Sequence, residues 1–252
     1  MNSEYPRCTS KLRNDIRDLH TVRSRRETQT FLVEGPHACE ELAQSHAIVQ
    51  CVVLRDDADP RSRACAEVFE HRGTPVYAVG GRDMERMSDT TSPRDILAVV
   101  VIPESAPLGN RIVVLDGVAD PGNVGTIIRT AAWFGFTDVV LLAGCADPYA
   151  PKVVRSSVGS LMHVNILRDI ETDALRAMLG SVPMVAAVTR DGEHPRVLRS
   201  LPACAVVVGS EAHGVRPELL SMCAHTVTIP GSGSVESLNA SIACAVLMYE
   251  AQ

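Results

Sequence analysis

The chain has 252 residues, is 46% hydrophobic and only 4% aromatic, and carries a formal net charge of −6, so it has room for two domains with aliphatic cores and is not basic over its whole surface. Its eight cysteines form no C-x-x-C pair, which argues against a disulfide framework or a zinc site and for a reducing compartment. No charged-then-apolar leader and no apolar run of about 18 or more is present, so a cytoplasmic protein without signal peptide or membrane span is expected.

Residues 1–10 read as frayed. Residues 7–26 hold Arg7, Lys11, Arg13, Arg17, Arg23, Arg25 and Arg26 against Asp15 and Asp18, either a local nucleic-acid patch or a solvated helix face. Leu12, Ile16 and Leu19 have helical spacing. Phe31-Leu-Val-Glu-Gly35 reads as a short strand, and Pro36 opens a helix with Cys39, Leu42 and Ala43 on one face. Val49 to Leu54 is continuously apolar, as in a buried parallel strand. Asp56-Asp-Ala-Asp-Pro60 is a turn; its acids favour a solvated turn over a metal site. A helix at 64–71, a strand at 75–79, a short helix at 82–87 and a buried strand at 95–102 complete a small α/β unit. Residues 103–110, rich in Pro, Gly and Ser, read as a linker between domains spanning 1–102 and 111–252.

Ile112 to Asp116 is a strand, followed by the glycine-bearing turn Gly117-Val-Ala-Asp-Pro-Gly-Asn-Val-Gly125 and a helix from about Asn123 to Phe134. The G-x-G-x-x-G fingerprint is absent, which discounts a dinucleotide site. By itself Asn123 reads equally as an N-cap, and Arg129 as a solubilising surface residue. Further strands fall at 138–142, 184–188, 203–208 and 227–229, with helices at 151–159, 171–179 and from Pro217. The apolar strand 203–208 runs into Gly209-Ser-Glu-Ala-His-Gly214, which puts Glu211 in a tight loop at a strand's carboxyl end, as a site residue or a helix-start cap. Ile229-Pro-Gly-Ser-Gly-Ser-Val-Glu-Ser-Leu-Asn239 leads from the last strand into a helix that is apolar almost all round from Ile242 to Tyr249, so that helix is expected to be buried. Strand, glycine-bearing loop and helix thus recur three times, and in a parallel sheet such loops can converge on one edge.

Three stretches in this order, Asn123-Val-Gly-Thr-Ile-Ile-Arg129, Gly209-Ser-Glu211-Ala-His-Gly214 and Ile229-Pro to Ser237-Leu-Asn239-Ala-Ser241, resemble the SpoU (TrmH-like) branch of the SPOUT RNA 2′-O-ribose methyltransferases. Residues 110–252 carry the motifs, while Arg23-x-x-Arg26 and Phe31-Leu-Val-Glu-Gly35 look like the family's accessory substrate-binding domain. One departure is Gly231, where many members carry Met. The resemblance implies a C-terminal parallel-sheet α/β domain with a deep trefoil knot, plus a smaller N-terminal α/β/α ribosomal-protein-like domain. It implies S-adenosylmethionine held by Gly209, Gly214, Ile229, Pro230 and Leu238, a homodimer with the site completed across its interface, and no metal. The reaction implied is methylation of a ribose 2′-hydroxyl in structured RNA. Large-subunit ribosomal RNA is favoured over transfer RNA, and some members act in antibiotic resistance.

The catalytic set implied is Asn123, Arg129, Glu211, Ser237 and Asn239, with Arg23, Arg25 and Arg26 on RNA. A guanidinium keeps its proton through the physiological range, so Arg129 is better read as gripping the phosphate beside the target ribose than as a free-standing base. Asn123 and Asn239 would orient it and the ribose, Glu211 would hold the arrangement, and Ser237 would fix the substrate or the third loop. Two rivals are a catalytically silent RNA-binding or ribosome-assembly factor, against which the intact motif residues argue, and a small-molecule methyltransferase, which leaves the basic start without a role.

Overall fold

The computed structural model describes residues 5–88 and 94–252. The chain forms two compact units: residues up to Glu104 together with Tyr149–Met162, and Ser105–Pro148 together with His163–Gln252.

The first unit runs α1 (Ser10–Asp18), α2 (Val22–Thr28), β1 (Thr30–Glu34), α3 (Pro36–Gln44), β2 (Val49–Arg55), α4 (Pro60–His71), β3 (Val76–Val79), α5 (Gly81–Met87) and β4 (Ile96–Val101). The basic stretch is two helices because Thr9 and Thr21 each turn the chain and cap a new start, accepting from Leu12 N–H and Ser24 N–H. The sheet order is β1-β4-β2-β3, with β4 antiparallel to both neighbours and β2 parallel only to β3. An apolar run on β2 therefore reported burial on both faces, not strand direction. Leu32, Val53, Leu97 and Val99 pack with Ile16 of α1, Leu19 just past it, and Met84 and Met87 of α5. The pleat sends Val52, Ile96 and Ala98 to the opposite face, where α3 and α4 contact β4 and β2.

Residues 5–9 are not frayed. Cys8 N–H donates to Ala78 and Ala78 N–H to Pro6, extending the sheet beside β3, and Tyr5 and Cys8 are buried. The acidic turn is occupied by protein partners. Asp56 takes two hydrogen bonds from Arg7, Asp57 takes one from Arg55, and Asp59 caps α4 through Ser62 N–H at 2.6 Å.

The remaining elements are β5 (Arg111–Asp116), α6 (Pro121–Trp133), β6 (Asp138–Leu142), α7 (Pro151–Ser157), β7 (Asn165–Ile170), α8 (Thr172–Leu179), β8 (Met184–Ala187), β9 (Cys204–Gly209), α9 (Pro217–Leu220), β10 (His225–Val227) and α10 (Ala240–Glu250). Six strands form one all-parallel sheet in the order β10-β8-β9-β5-β6-β7. Alternate residues of its strands, among them Ile112, Val114, Val140 and Val207, pack with Leu175 and Leu179 of α8 and Leu219 of α9. Helices α6 and α10 pack on each other, and they contact β6 and β9 respectively.

Four details depart from the sequence reading. The β6–β7 crossover carries α7, which packs on β1 while Tyr149 meets the Phe31 ring at 5.0 Å, so the expected continuous stretch 111–252 is interrupted by a segment of the first unit. Strand β7 was not anticipated, because Arg168 and Asp169 break its apolar pattern and Asp169 takes a positive φ at a register shift. The last strand ends at Val227, two residues before Ile229. Helix α10 is only half buried: Cys244, Leu247 and Met248 face inward, whereas Ile242 and Tyr249 are 52% and 60% exposed.

The stretch after Glu104 is tied down within the second unit. Asn165 exchanges hydrogen bonds with Ala106 N–H and C=O at 2.9 Å and donates to buried Asp138 at 2.7 Å. Asp138 also accepts from Gly109 N–H, and Ser105 donates to the Ile166 carbonyl. Among the described residues no helix is long and apolar enough to cross a membrane.

Candidate functional site

From β5 the chain steps outward through β6 and β7, then returns to build β8, β9 and β10 on the other side. The neighbours β5 and β9 therefore flank the point where strand order reverses, beyond whose carboxyl ends open parallel sheets bind ligands. The turn after β5 leads into α6, and the loop after β9 carries Glu211. Strand β10 lies three strand spacings from β5, about 14 Å, so its long loop must come back past β8 and β9 to reach α6. Asn239 makes that connection.

Three side chains close a ring of hydrogen bonds. Asn123 Nδ2 donates to Glu211 Oε1 in a very short contact. Asn239 Nδ2 donates to Asn123 Oδ1 at 3.0 Å and to the same Glu211 Oε1 at 3.2 Å. The other side of Asn239 is fully used: its Oδ1 accepts from Ser241 N–H at 2.9 Å, Ser241 Oγ at 2.6 Å and Ile242 N–H at 3.4 Å, capping α10. The amide of Asn239 therefore has one orientation that satisfies every partner. Asn123 is not the cap of α6; Asp120 is, accepting from Asn123 N–H at 2.9 Å. That frees the Asn123 side chain for the ring.

The loop carrying Glu211 is tight. A Cβ on Gly209 would stand 2.0 Å from the Gly214 carbonyl carbon, so only glycine fits there. Gly214, at φ +68, donates its N–H to the Ser210 carbonyl at 2.8 Å and closes the turn. Below it, the Asp116 side chain is 1% exposed and accepts from Arg216 twice, from Nε at 2.7 Å and from the backbone N–H at 2.8 Å. Asp116 and Arg216 were not singled out from sequence. An acid closing an otherwise apolar strand, at Val113-Val-Leu-Asp116, was the available signal.

Arg129 lies outside the ring. It is exposed, six residues after Asn123 on α6, hence about 9 Å further along the axis and about 120° around it. Among the described residues neither Arg129 nor Ser237 has a side-chain hydrogen-bond partner. Ile229 is half-buried, while Pro230 and Leu238 are exposed. Between Ile229 and Leu238 the backbone makes no backbone–backbone hydrogen bond among the described residues, and within the loop the Ser234 N–H donates to Ser232 Oγ at 3.4 Å. Gly231 has open space around its Cβ direction.

Of the basic residues in the first unit, Arg23 and Arg26 are exposed, Arg23 pairing with Glu27 at 2.7 Å. Arg25 is a correction: it is 2% exposed and spends Nη1 on the Leu19 carbonyl at 2.7 Å, holding the α1–α2 turn from inside. Among the described residues no group of three or more His, Cys, Asp or Glu is arranged to hold a metal.

The profile of the SpoU rRNA Methylase family matches residues 110–249, and that of the MRM3-like substrate binding domain matches residues 14–98. The chain is 32% identical over 239 residues to the 23S rRNA (guanosine(2553)-2′-O)-methyltransferase RlmP of Bacillus subtilis, covering 93% of each protein. It is 31% identical over 238 residues to the 23S rRNA (uridine(2479)-2′-O)-methyltransferase of Streptomyces viridochromogenes, covering 88% of this chain and 82% of that one. The AdoMet-bound rRNA methyltransferase of Sinorhizobium meliloti superposes with a TM-score of 0.85 at 26% identity, over 99% of this chain and 97% of that one.

Proposed function

The chain belongs to the SpoU rRNA Methylase family, and from that premise we propose that it methylates a ribose 2′-hydroxyl of large-subunit ribosomal RNA in the cytoplasm. The observation that carries the reading is the ring of Asn123, Glu211 and Asn239, drawn from the first turn of α6, the loop after β9 and the cap of α10 to the switch point of the sheet. A silent RNA-binding factor has no use for such a ring, and neither transfer RNA nor a small molecule is favoured by the relatives.

S-adenosylmethionine fits the residues present. An adenosine needs apolar flanks and backbone donors and acceptors, and the loop 229–238 offers Ile229, Leu238 and a backbone that, among the described residues, makes no backbone–backbone hydrogen bond. Gly209, Gly214, Ile229, Pro230 and Leu238 would hold it. When bound, it supplies a methyl group already activated by a positive sulfur. The chain's own task is to hold the ribose in line, exclude water and accommodate the departing hydroxyl proton. Arg129 grips the phosphate next to the target nucleotide with paired N–H groups. Asn123 and Asn239, fixed through Glu211, orient the ribose, and Ser237 steadies substrate or loop from the third motif.

The long return of loop 228–239 past the β9 loop supports a trefoil-knotted path. A homodimer is supported by one apolar, solvent-facing row on paired helices: Trp133, 83% exposed, Ile242 and Tyr249, with Tyr249 edge-on at 6.2 Å to the half-buried Phe134 just past α6. Arg129 shares the Trp133 face of α6, one turn earlier. A partner copy on that row would bring its Arg129 to this ring, completing the site between subunits. Arg23 and Arg26 are the candidates for RNA contact in the first unit.

The test is incubation with methyl-labelled S-adenosylmethionine and total RNA, followed by nuclease mapping. Label in a 2′-O-methylated nucleoside of the large-subunit RNA is expected; RNA free of label would overturn the reading.

A further inference from the structure

Asp116 touches both ends of the Glu211 loop. In the β5–β9 ladder its Cα partner is Gly209, where the loop leaves the sheet. Its carboxylate then accepts from Arg216 Nε and N–H, where the loop comes back. The same residue starts the turn that leads, seven positions on, to Asn123. One buried side chain is thus the common anchor for the two partners of the Asn123–Glu211 bond.

From this we propose that Asp116 and Arg216 form a clamp that sets the spacing of the catalytic ring, and so act as positioning residues for methyl transfer. The inference rests on the reading of the site given above. The loop has little else to hold it. It is short, glycine at both ends, and its tip, Glu211 to His213, is exposed. Internally it is closed by Gly214 N–H on the Ser210 carbonyl and His213 N–H on Ser210 Oγ. These bonds shape the loop but do not relate it to β5. Among the described residues, the ladder at Gly209 and the clamp at Arg216 do that, together with Val215, which is buried in the core. The Arg216 fork is suited to the task. Its planar guanidinium and its own backbone amide meet the two carboxylate oxygens separately, which fixes direction as well as distance. Asp116 is out of solvent while the Arg216 side chain is partly exposed, so solvent reaches the pair from one side only. Neither residue touches a reacting atom in this scheme. Their effect passes through Glu211 to Asn123 and Asn239.

The test uses the full-length protein and Arg216→Ala, a side chain that is 44% exposed and whose loss leaves the backbone amide in place. Turnover is measured at saturating RNA and S-adenosylmethionine, at a temperature far below the melting transition, and normalised to the S-adenosylmethionine binding stoichiometry. We expect kcat to fall by about 10- to 100-fold, the size of loss that follows a misplacement of about 1 Å, with KM for RNA within about threefold of the parent. Arg216→Lys keeps the charge but not the fork, and is expected to recover part of the loss. Arg216→Ala with normal kcat per bound S-adenosylmethionine would overturn the clamp, as would a loss accounted for wholly by lost binding stoichiometry. A parent protein that transfers no methyl to RNA would instead sink the functional reading on which the clamp depends.

Discussion

Asn239 binds Asn123 across 116 positions of sequence, its Nδ2 standing 3.0 Å from Asn123 Oδ1, while its own Oδ1 caps α10. One amide thus serves stability with its oxygen and the catalytic ring with its nitrogen, and substitution can separate the two. Asn239→Asp keeps the capping oxygen but turns a second anionic oxygen toward Glu211. Asp and Asn cap about equally, so Asn239→Asp should keep the capping part of the stability and lose only what repulsion from Glu211 removes, whereas Asn239→Ala should lose about 1 kcal/mol of capping. Both should lose methyl transfer. An Asp variant that is fully active would show that the nitrogen of Asn239 has no part in the chemistry.

A site completed between subunits predicts complementation. Arg129→Ala and Asn239→Ala should each be inactive alone. After mixing and subunit exchange, heterodimers carry one intact site built from two chains, so activity should return to roughly a quarter of the parent level in a statistical mixture of twofold-symmetric dimers. Heterodimers confirmed by native mass spectrometry that remain inactive would place Arg129 at its own chain's ring.

Asn165 holds the segment that joins the two units by its sequence. Its removal leaves buried Asp138 short of a donor and Ala106 without two partners. Asn165→Ala should therefore cost about 1–3 kcal/mol by denaturant melting. Limited proteolysis around residues 103–110 should also speed up.

All eight cysteines are free, and six are buried. Burial pushes the Cys51 and Cys244 thiols up to about 12 and those of Cys65 and Cys223 up to about 11. Mass spectrometry after iodoacetamide treatment at pH 8 should find these four unmodified in the folded protein and modified after unfolding, because the thiolate is the reacting species. The sign for stability is set by the raised folded values. The thiols' contribution is whole below the ordinary value of 9.0 and drains away as pH climbs from there toward about 12, since the unfolded chain ionises first.

A Cβ added at Gly231 meets nothing within 4 Å. Its φ is not in the left-handed region, so a side chain brings no backbone strain. Gly231→Met should leave the melting temperature within the small range typical of surface changes, about ±0.5 kcal/mol. It should also tighten S-adenosylmethionine binding by calorimetry through added apolar cover. Weaker binding would mean the loop needs glycine for its closure.

What the amino-acid sequence determined by itself was local. Apolar runs marked most of the strands among the described residues, Pro36 and Pro151 opened helices, and Asn123, Glu211 and Asn239 stood in or beside glycine-bearing turns, because propensity, capping and hydrophobic period act over a few neighbouring residues. Only the tertiary structure decided the strand order that brings a loop from the sheet edge back to α6, the docking of α7 on β1, the burial of Arg25, and the grip of Asp116 on Arg216. Each of these depends on which distant surfaces exclude water together, and no window of neighbouring residues contains both halves of such a contact.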